Sequence, residues 1–148
     1  MFSILVAEDD DSLRKLMCAA LKQNGYMPYP AVDGEDALDV MERISVDLVI
    51  SDIMMPKIDG YELVKQLRAA RYEMPVLMVT AKDSFTDKQK GFMAGTDDYM
   101  VKPVDEEEML LRIKALLRRA KIANDRRIVI GDVVLDYDSF TVSRPGQT

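Results

Sequence analysis

Leu48-Val-Ile-Ser-Asp-Ile-Met-Met-Pro-Lys-Ile-Asp-Gly60 is the stretch that decides the fold. Its first three residues are an apolar run, which is typical of a strand buried on both faces. The run ends at Asp52, and Pro56 then favours a turn before a closing Asp-Gly pair. A carboxylate therefore follows a core strand directly, at the edge where open α/β sheets bind ligands.

Strand-like and helix-like segments alternate five times over residues 2–119. The predicted strands cover residues 2–7, 26–32, 48–52, 76–80 and 99–101. Helical periodicity follows each of them, with the fourth helix at about residues 85–94 and the fifth opened by a capping-box pattern, Asp105 with Glu108. This alternation predicts an α/β protein with a doubly wound, five-stranded parallel sheet. Pro28 and Pro30 favour an edge position for the second strand, and right-handed crossovers then favour the order 2-1-3-4-5.

Polar side chains follow four of these strands where each one ends. Glu8 and Asp9 follow the first strand, Asp52 ends the third, Thr80 ends the fourth and Lys102 follows the fifth. Because the carboxyl ends of parallel strands share one edge, these residues are expected in one cleft. Clustered carboxylates can hold a hard cation, and oxygen ligands favour Mg²⁺. Asp52 could then act as a nucleophile toward phosphorus, with Thr80 and Lys102 contacting phosphoryl oxygens.

Composition excludes several classes of function. The 148 residues suit one domain plus a short appendage, and the net charge of −6 disfavours sequence-independent binding to nucleic acid. No apolar run approaches the length of a membrane span and no export signal is visible, so we expect a cytoplasmic protein with no membrane partner. The chain has no histidine, which rules out a Ser-His-Asp triad, an HExxH zinc site and a histidine phosphocarrier.

Four motifs together resemble the receiver domain of two-component response regulators. They are Glu8-Asp9, Asp52 within Asp-Ile-Met-Met-Pro-Lys-Ile-Asp-Gly, Thr80-Ala81, and Gly95-Thr-Asp-Asp-Tyr-Met-Val-Lys-Pro103, in the family's order over residues 1–119. The resemblance implies a flavodoxin- or CheY-like fold. It also implies that the domain is not an enzyme but a phosphoacceptor, which receives a phosphoryl group on Asp52 from a sensor histidine kinase and assists its own phosphorylation and dephosphorylation.

The resemblance also assigns roles to individual residues. It implies that Mg²⁺ (or Mn²⁺) is bound by Glu8, Asp9, Asp52 and the main-chain carbonyl of Met54. It implies a switch in which phosphorylation draws the Thr80 hydroxyl inward and the ring of Tyr99 turns into the vacated space, and a cis peptide bond between Lys102 and Pro103.

A charged surface is similar to the one through which winged-helix (OmpR-like) members of the family dimerise. The six residues, on the face of the predicted fourth helix, fifth strand and fifth helix, are Lys88, Asp97, Asp98, Glu108, Arg112 and Arg119. The resemblance implies a homodimer through this face. A solvated charged face with no partner is the other interpretation.

The pattern changes after residue 119. Residues 120–127 are polar and predict a linker or a frayed helix end, and residues 128–148 contain short β-like runs. Gly131-Asp-Val-Val-Leu-Asp-Tyr137 and Val142-Ser-Arg-Pro-Gly146 resemble the small sheet that precedes the winged helix of the same subfamily. We therefore expect the start of a truncated effector domain. The full-length protein would be a transcriptional regulator that binds DNA only through the missing winged helix.

Two other functions fit parts of this pattern. A Mg²⁺-dependent phosphohydrolase similar to haloacid dehalogenases would also use an aspartyl nucleophile, but it would have a second Asp two residues later, where this chain has Met54. A receiver-like module that is never phosphorylated and only binds other proteins is the second alternative. The presence of all five site residues argues against it, and failure to phosphorylate would favour it.

Overall fold

The computed structural model describes residues 1–81 and 95–131, with side chains as far as residue 122. The strands are β1 (Ser3–Ala7), β2 (Met27–Ala31), β3 (Leu48–Asp52), β4 (Val76–Thr80) and β5 (Asp98–Val101). The helices are α1 (Asp11–Gln23), α2 (Gly34–Arg43), α3 (Gly60–Ala69) and the C-terminal helix (Glu106–Gly131). The predicted fourth helix, with Lys88, lies outside the described residues. None of the helices in the described ranges is both long and apolar enough to cross a membrane.

The strands form one parallel sheet in the order β2-β1-β3-β4-β5, which confirms the predicted fold class and topology. Every residue of β3 and β4 is buried. The unbroken apolar runs therefore lie at the centre of the sheet, as expected for strands covered on both faces. Their carboxyl ends bring Asp52 and Thr80 to the same edge, because Asp52 pairs in register with Val79.

The prolines of β2 protect the outer edge of the sheet. The Met27 amide donates to the Phe2 carbonyl and the Glu8 amide donates to the Ala31 carbonyl. The backbone N–H and C=O groups of the odd-numbered residues of β2 therefore point toward β1. Pro28 and Pro30 therefore face outward, where an ordinary residue would present an unpaired N–H. The next outward amide, that of Val32, donates to the Asp36 carboxylate. The outer edge consequently offers no free donor to another strand.

Aspartates begin the described helices. In each case the carboxylate accepts a hydrogen bond from an amide of the first turn: Asp10, Asp33, Asp59 and Asp105. Such caps satisfy otherwise unpaired amides and place negative charge at the positive end of the helix. The capping box predicted at Asp105 is not formed with Glu108, whose carboxylate accepts from Arg112 instead.

The C-terminal helix corrects the interpretation of residues 120–130. It continues without a break to Gly131, so residues 120–127 continue the helix and the β-like run at 128–130 is helical; that residues 120–127 link two domains stays a prediction. Residues 120–127 contain neither proline nor glycine, and local helix propensity can therefore extend the preceding helix. The chain divides into two compact units, Met1–Leu116 and Leu117–Thr148, and the whole sheet lies in the first. That residues 128–148 begin an effector domain stays a prediction, and residues 132–148 lie outside the described part.

Candidate functional site

Three carboxylates converge at the carboxyl edge of the sheet. Glu8, Asp9 and Asp52 each offer one oxygen, and these three oxygens lie within 4.8 Å of one another. Glu8 and Asp52 are 1% and 5% exposed, whereas Asp9 faces solvent. A set of three hard oxygen donors with one open side suits Mg²⁺, which keeps several water ligands when it binds.

Lys102 reaches into this cluster from the end of β5. Its Nζ donates to Asp52 Oδ2 at 3.0 Å and lies 3.3 Å from Glu8 Oε1. Burial alone would lower the pKa of Lys102, but the hydrogen bond to Asp52 and the charges of Asp52 and Glu8 outweigh it and raise the pKa. The lysine is therefore a fixed positive charge at the site. Its own amide donates to the Thr80 carbonyl at 2.7 Å, and the Lys102–Pro103 bond is cis, as expected.

The pKa of Glu8 is raised by its burial beside another carboxylate. Burial, with a further contribution from the charge of Asp52, raises the pKa of Glu8 from 4.5 to about 7, although the Asp10 amide and Lys102 oppose the rise. Glu8 Oε1 is buried and, apart from its ion pair with Lys102 Nζ at 3.3 Å, has no hydrogen-bond partner within the described residues, while Oε2 accepts from the Asp10 amide at 3.1 Å. A bound cation would satisfy Oε1 and favour the ionised form. The residues present therefore fit a divalent cation.

The two predicted switch residues lie on neighbouring strands and are buried. Thr80 ends β4, and Tyr99 lies on β5 in register with Met78. Thr80 thus lies at the same edge as the carboxylates, whereas Tyr99 lies two residues further back along the sheet. Their motion on phosphorylation stays a prediction.

The loop after Asp52 is tightly closed. The Gly60 amide donates to the Ile53 carbonyl at 2.8 Å, and a β-carbon at Gly60 would lie 2.4 Å from the Asp52 carbonyl oxygen. Only glycine fits where α3 meets the end of β3. Met54, in this loop, exposes 63% of its surface; the role of its carbonyl as a cation ligand stays a prediction.

Four of the six charged residues predicted for the dimer face form contacts within the chain. Arg112 Nη1 donates to both carboxylate oxygens of Asp98 at 3.0 Å, and its Nε donates to Glu108 at 3.0 Å. Asp97 Oδ2 accepts from Arg68 Nη2 at 3.1 Å and from the Val76 amide at 2.8 Å.

The other two residues of the predicted face are Arg119 and Lys88. Arg119 is exposed on the C-terminal helix and belongs to the second unit, and Lys88 is outside the described residues. Pairing of these charges between two copies of the chain stays a prediction.

The sequence analysis missed two arginines that hold parts of the fold together by main-chain contacts. Arg14 donates from Nη1 to the Glu8 carbonyl at 2.7 Å and also pairs with the Asp11 carboxylate, so it fixes the turn that carries the acidic pair. Arg68 donates to three carbonyls and to Asp97. The sequence gives no signal for these main-chain contacts, because any residue would supply the carbonyl oxygens that accept from the two arginines.

Comparison with known sequences agrees with this geometry. The sequence model of the family described as "Response regulator receiver domain" matches residues 4–114. The chain is 36% identical over 148 residues to the heme response regulator HssR of Staphylococcus epidermidis, covering 100% of this chain and 66% of HssR. It is 43% identical over 147 residues to the alkaline phosphatase synthesis transcriptional regulatory protein PhoP of Bacillus subtilis, covering 93% of this chain and 61% of PhoP. The chain therefore spans about two thirds or less of the length of these relatives.

Solved structures share the fold. The receiver domain of Francisella response regulator 1452 superposes with a TM-score of 0.77 at 33% identity, covering 81% of this chain and 99% of that domain. The chemotaxis protein CheY4 of Vibrio cholerae superposes with a TM-score of 0.75 at 32% identity, covering 78% of this chain and 98% of CheY4. A CheY-like fold is thus shown for the sheet and its helices.

Proposed function

Because the chain belongs to the family of response regulator receiver domains, we propose that it is a phosphorylation-controlled switch whose acceptor is Asp52. The observation that carries the proposal is the meeting of Glu8, Asp9 and Asp52 within 4.8 Å, with Lys102 Nζ 3.0 Å from Asp52. The chain has no histidine. The phosphoryl donor is therefore another molecule, for which a sensor histidine kinase is the expected source.

The reaction is a transfer of a phosphoryl group from a phosphohistidine to Asp52. A carboxylate oxygen of Asp52 attacks phosphorus, the P–N bond breaks, and the leaving imidazole takes a proton, so that an acyl phosphate forms. Mg²⁺ (or Mn²⁺) held by Glu8, Asp9, Asp52 and the Met54 carbonyl would neutralise charge on the phosphoryl oxygens. Lys102 can move from the carboxylate to a phosphoryl oxygen, and the Thr80 hydroxyl can donate to another.

The output of this switch is a rearrangement of the β5 surface. A phosphoryl oxygen that draws the Thr80 hydroxyl toward Asp52 leaves space for the buried ring of Tyr99. Where a packed element has two arrangements, such a local contact can shift the equilibrium between them. The Arg112 pairs with Asp98 and Glu108 lie on the adjoining segment. Their exchange for contacts with a second copy would give the expected homodimer.

The full-length protein is proposed to regulate transcription. Relatives at 36% and 43% identity are named as a response regulator and a transcriptional regulatory protein, and they are longer than this chain. DNA binding would reside in the part of those proteins that this chain does not cover.

An interaction module that is never phosphorylated remains the second candidate. The buried Glu8, Asp52 and Thr80 argue against it, since burying two carboxylates is costly unless a charge or a cation compensates them. The phosphohydrolase candidate is weaker still, because Met54 supplies no acid or base two residues after Asp52.

The test is the intact mass of the protein after incubation with acetyl phosphate and Mg²⁺. We expect the gain of one phosphoryl group in the wild type and in Asp39→Asn, a control at an exposed aspartate of α2. We expect no gain in Asp52→Asn or with EDTA. Size-exclusion chromatography of the same samples then tests dimerisation, and Arg112→Ala should stay monomeric when phosphorylated. Absence of any gain in the wild type would favour the interaction module.

A further inference from the structure

The first turn of α2 packs directly against the loop of residues 53–59 that follows Asp52. A β-carbon built at Gly34 would lie 2.6 Å from the Ile58 carbonyl oxygen and 2.7 Å from the Ile58 β-carbon. These distances are shorter than real β-carbons tolerate, so only glycine allows this approach. The contact lies on the side of the loop that faces α2.

Charged side chains reinforce the same junction. Asp33 is buried; its Oδ1 caps α2 by accepting from the Asp36 amide at 2.8 Å, and its Oδ2 lies 3.6 Å from Lys57 Nζ. Lys57 Nζ is also 3.6 Å from Glu35 Oε1. Lys57 has a φ of 70°, a backbone conformation that residues other than glycine rarely adopt. The lysine thus keeps an unfavourable backbone conformation at the point where the carboxylates of Asp33, which caps α2, and of Glu35 attract it.

The opposite side of the loop packs against Asp52, the proposed phosphoacceptor. Gly60 closes the loop by donating to the Ile53 carbonyl, and its α-carbon packs so closely on the Asp52 carbonyl that no side chain fits. Ile58 is only two residues from Gly60. A shift forced on Ile58 by α2 is therefore passed to Asp52 with little chain between them to absorb it.

We propose that the first turn of α2, through Gly34 and Asp33, sets the position of the loop 53–59 and thereby the geometry with which Asp52 joins the divalent-cation site. The inference rests on the proposed function, since it takes the acidic cluster to be that site. Gly34 and Asp33 act as positioning residues, because they contact Ile58 and Lys57 of the loop and are not themselves ligands of the cation or the phosphoryl group.

The test is the affinity of the unphosphorylated protein for Mg²⁺, measured by calorimetric titration with MgCl₂. Gly34→Ala should bind Mg²⁺ about tenfold more weakly than the wild type, the scale on which residues that orient metal ligands act. The matched control is Gly25→Ala. Gly25 has φ of 87°, and its added β-carbon would meet no described atom within 4 Å. It therefore strains the backbone at the other end of the sheet without touching the loop.

Thermal melts followed by circular dichroism separate folding from binding. If Gly34→Ala does not fold, Ile58→Gly removes the side-chain part of this contact from the loop side, without a clash, and should weaken Mg²⁺ binding several-fold. If the variant that folds, Gly34→Ala or Ile58→Gly, binds Mg²⁺ with the affinity of the wild type, the inference is overturned and the proposed function is left intact. The same holds if Gly25→Ala loses as much Mg²⁺ affinity as that variant. A wild type that binds no Mg²⁺ would overturn the proposed function and this inference together.

Discussion

Arg68 is predicted to stabilise the fold by joining three segments of the chain through its guanidinium group. Its Nη1 donates to the Tyr72 and Met74 carbonyls at 2.9 Å, and its Nη2 donates to the Gly95 carbonyl at 2.9 Å and to Asp97 at 3.1 Å. The guanidinium therefore joins the end of α3, the turn before β4 and the segment that enters β5. We propose to replace Arg68 by Met, which keeps the apolar stem and removes every donor.

The expected loss follows from the number and exposure of these contacts. Hydrogen bonds to a charged group contribute roughly 1.5–3 kcal/mol each. The Arg68 side chain is 25% exposed and that of Asp97 is 42% exposed, so water can replace part of what is lost. Four acceptors at a little under 1 kcal/mol each give a loss of about 3 kcal/mol in the free energy of unfolding. For a domain of this size, the melting temperature should fall by about 10 °C.

Urea denaturation followed by circular dichroism measures this loss. Lys65→Met is the matched control, because Lys65 is exposed on the same helix; its effect should stay within about 0.5 kcal/mol. If Arg68→Met lost less than about 1 kcal/mol, or no more than the control, the arginine would not be joining these segments in solution.

Three further predictions concern other parts of the chain. Gly60→Ala would place a β-carbon 2.4 Å from the Asp52 carbonyl oxygen. Compared with the wild type, this variant should lose about 1–3 kcal/mol in the free energy of unfolding and should be phosphorylated to a lower yield. A yield equal to that of the wild type would contradict the tight closure of the loop. The double replacement of Pro28 and Pro30 by Ala should cost about 1–2 kcal/mol and expose two edge amides, giving concentration-dependent association in analytical ultracentrifugation; a strictly monomeric variant would show that the prolines do not protect the edge. The phosphoryl group should persist for minutes or longer in isolated protein, because Met54 has no group to orient hydrolytic water; loss within seconds, followed by intact mass, would contradict this.

The fold could be predicted because its main determinants are written in local sequence patterns. Apolar runs, such as the one preceding Asp52, and their alternation with helical periodicity indicate the type of each element. The two prolines of β2, together with right-handed crossovers, then indicate the strand order. The end of the last helix could not be predicted in this way. Residues 120–127 are polar enough for a linker, yet they lack the proline or glycine that would stop a helix, and the structure extends the helix through them.

The acidic site could be predicted for a topological reason. Parallel strands bring their carboxyl ends to one edge, so Glu8, Asp52, Thr80 and Lys102 had to meet once the strand order was known. The contacts of Arg68 could not be predicted, because its acceptors are mostly carbonyl oxygens. A carbonyl group carries no residue identity, and its direction depends on turns whose geometry the sequence pattern does not specify.

The charged face predicted for dimerisation contains an ion pair within the chain. Asp98 and Arg112, which the sequence resemblance assigns to the dimer face, are paired with each other in the structure, and pairing between two copies stays a prediction. A single chain brings its own opposite charges together when they are within reach. A dimer through this face would therefore have to exchange these pairs, and added salt should weaken both arrangements.

The central claim is that Asp52 becomes an acyl phosphate, and the most direct test locates the modified residue chemically. Protein phosphorylated with acetyl phosphate and Mg²⁺ is treated with borohydride, which reduces an aspartyl phosphate to homoserine, and its peptides are then mapped by mass spectrometry. The account predicts homoserine at position 52 in the wild type and none in Asp52→Asn. Reduction at Asp9, or no reduced aspartate in a sample that had gained phosphate, would contradict it.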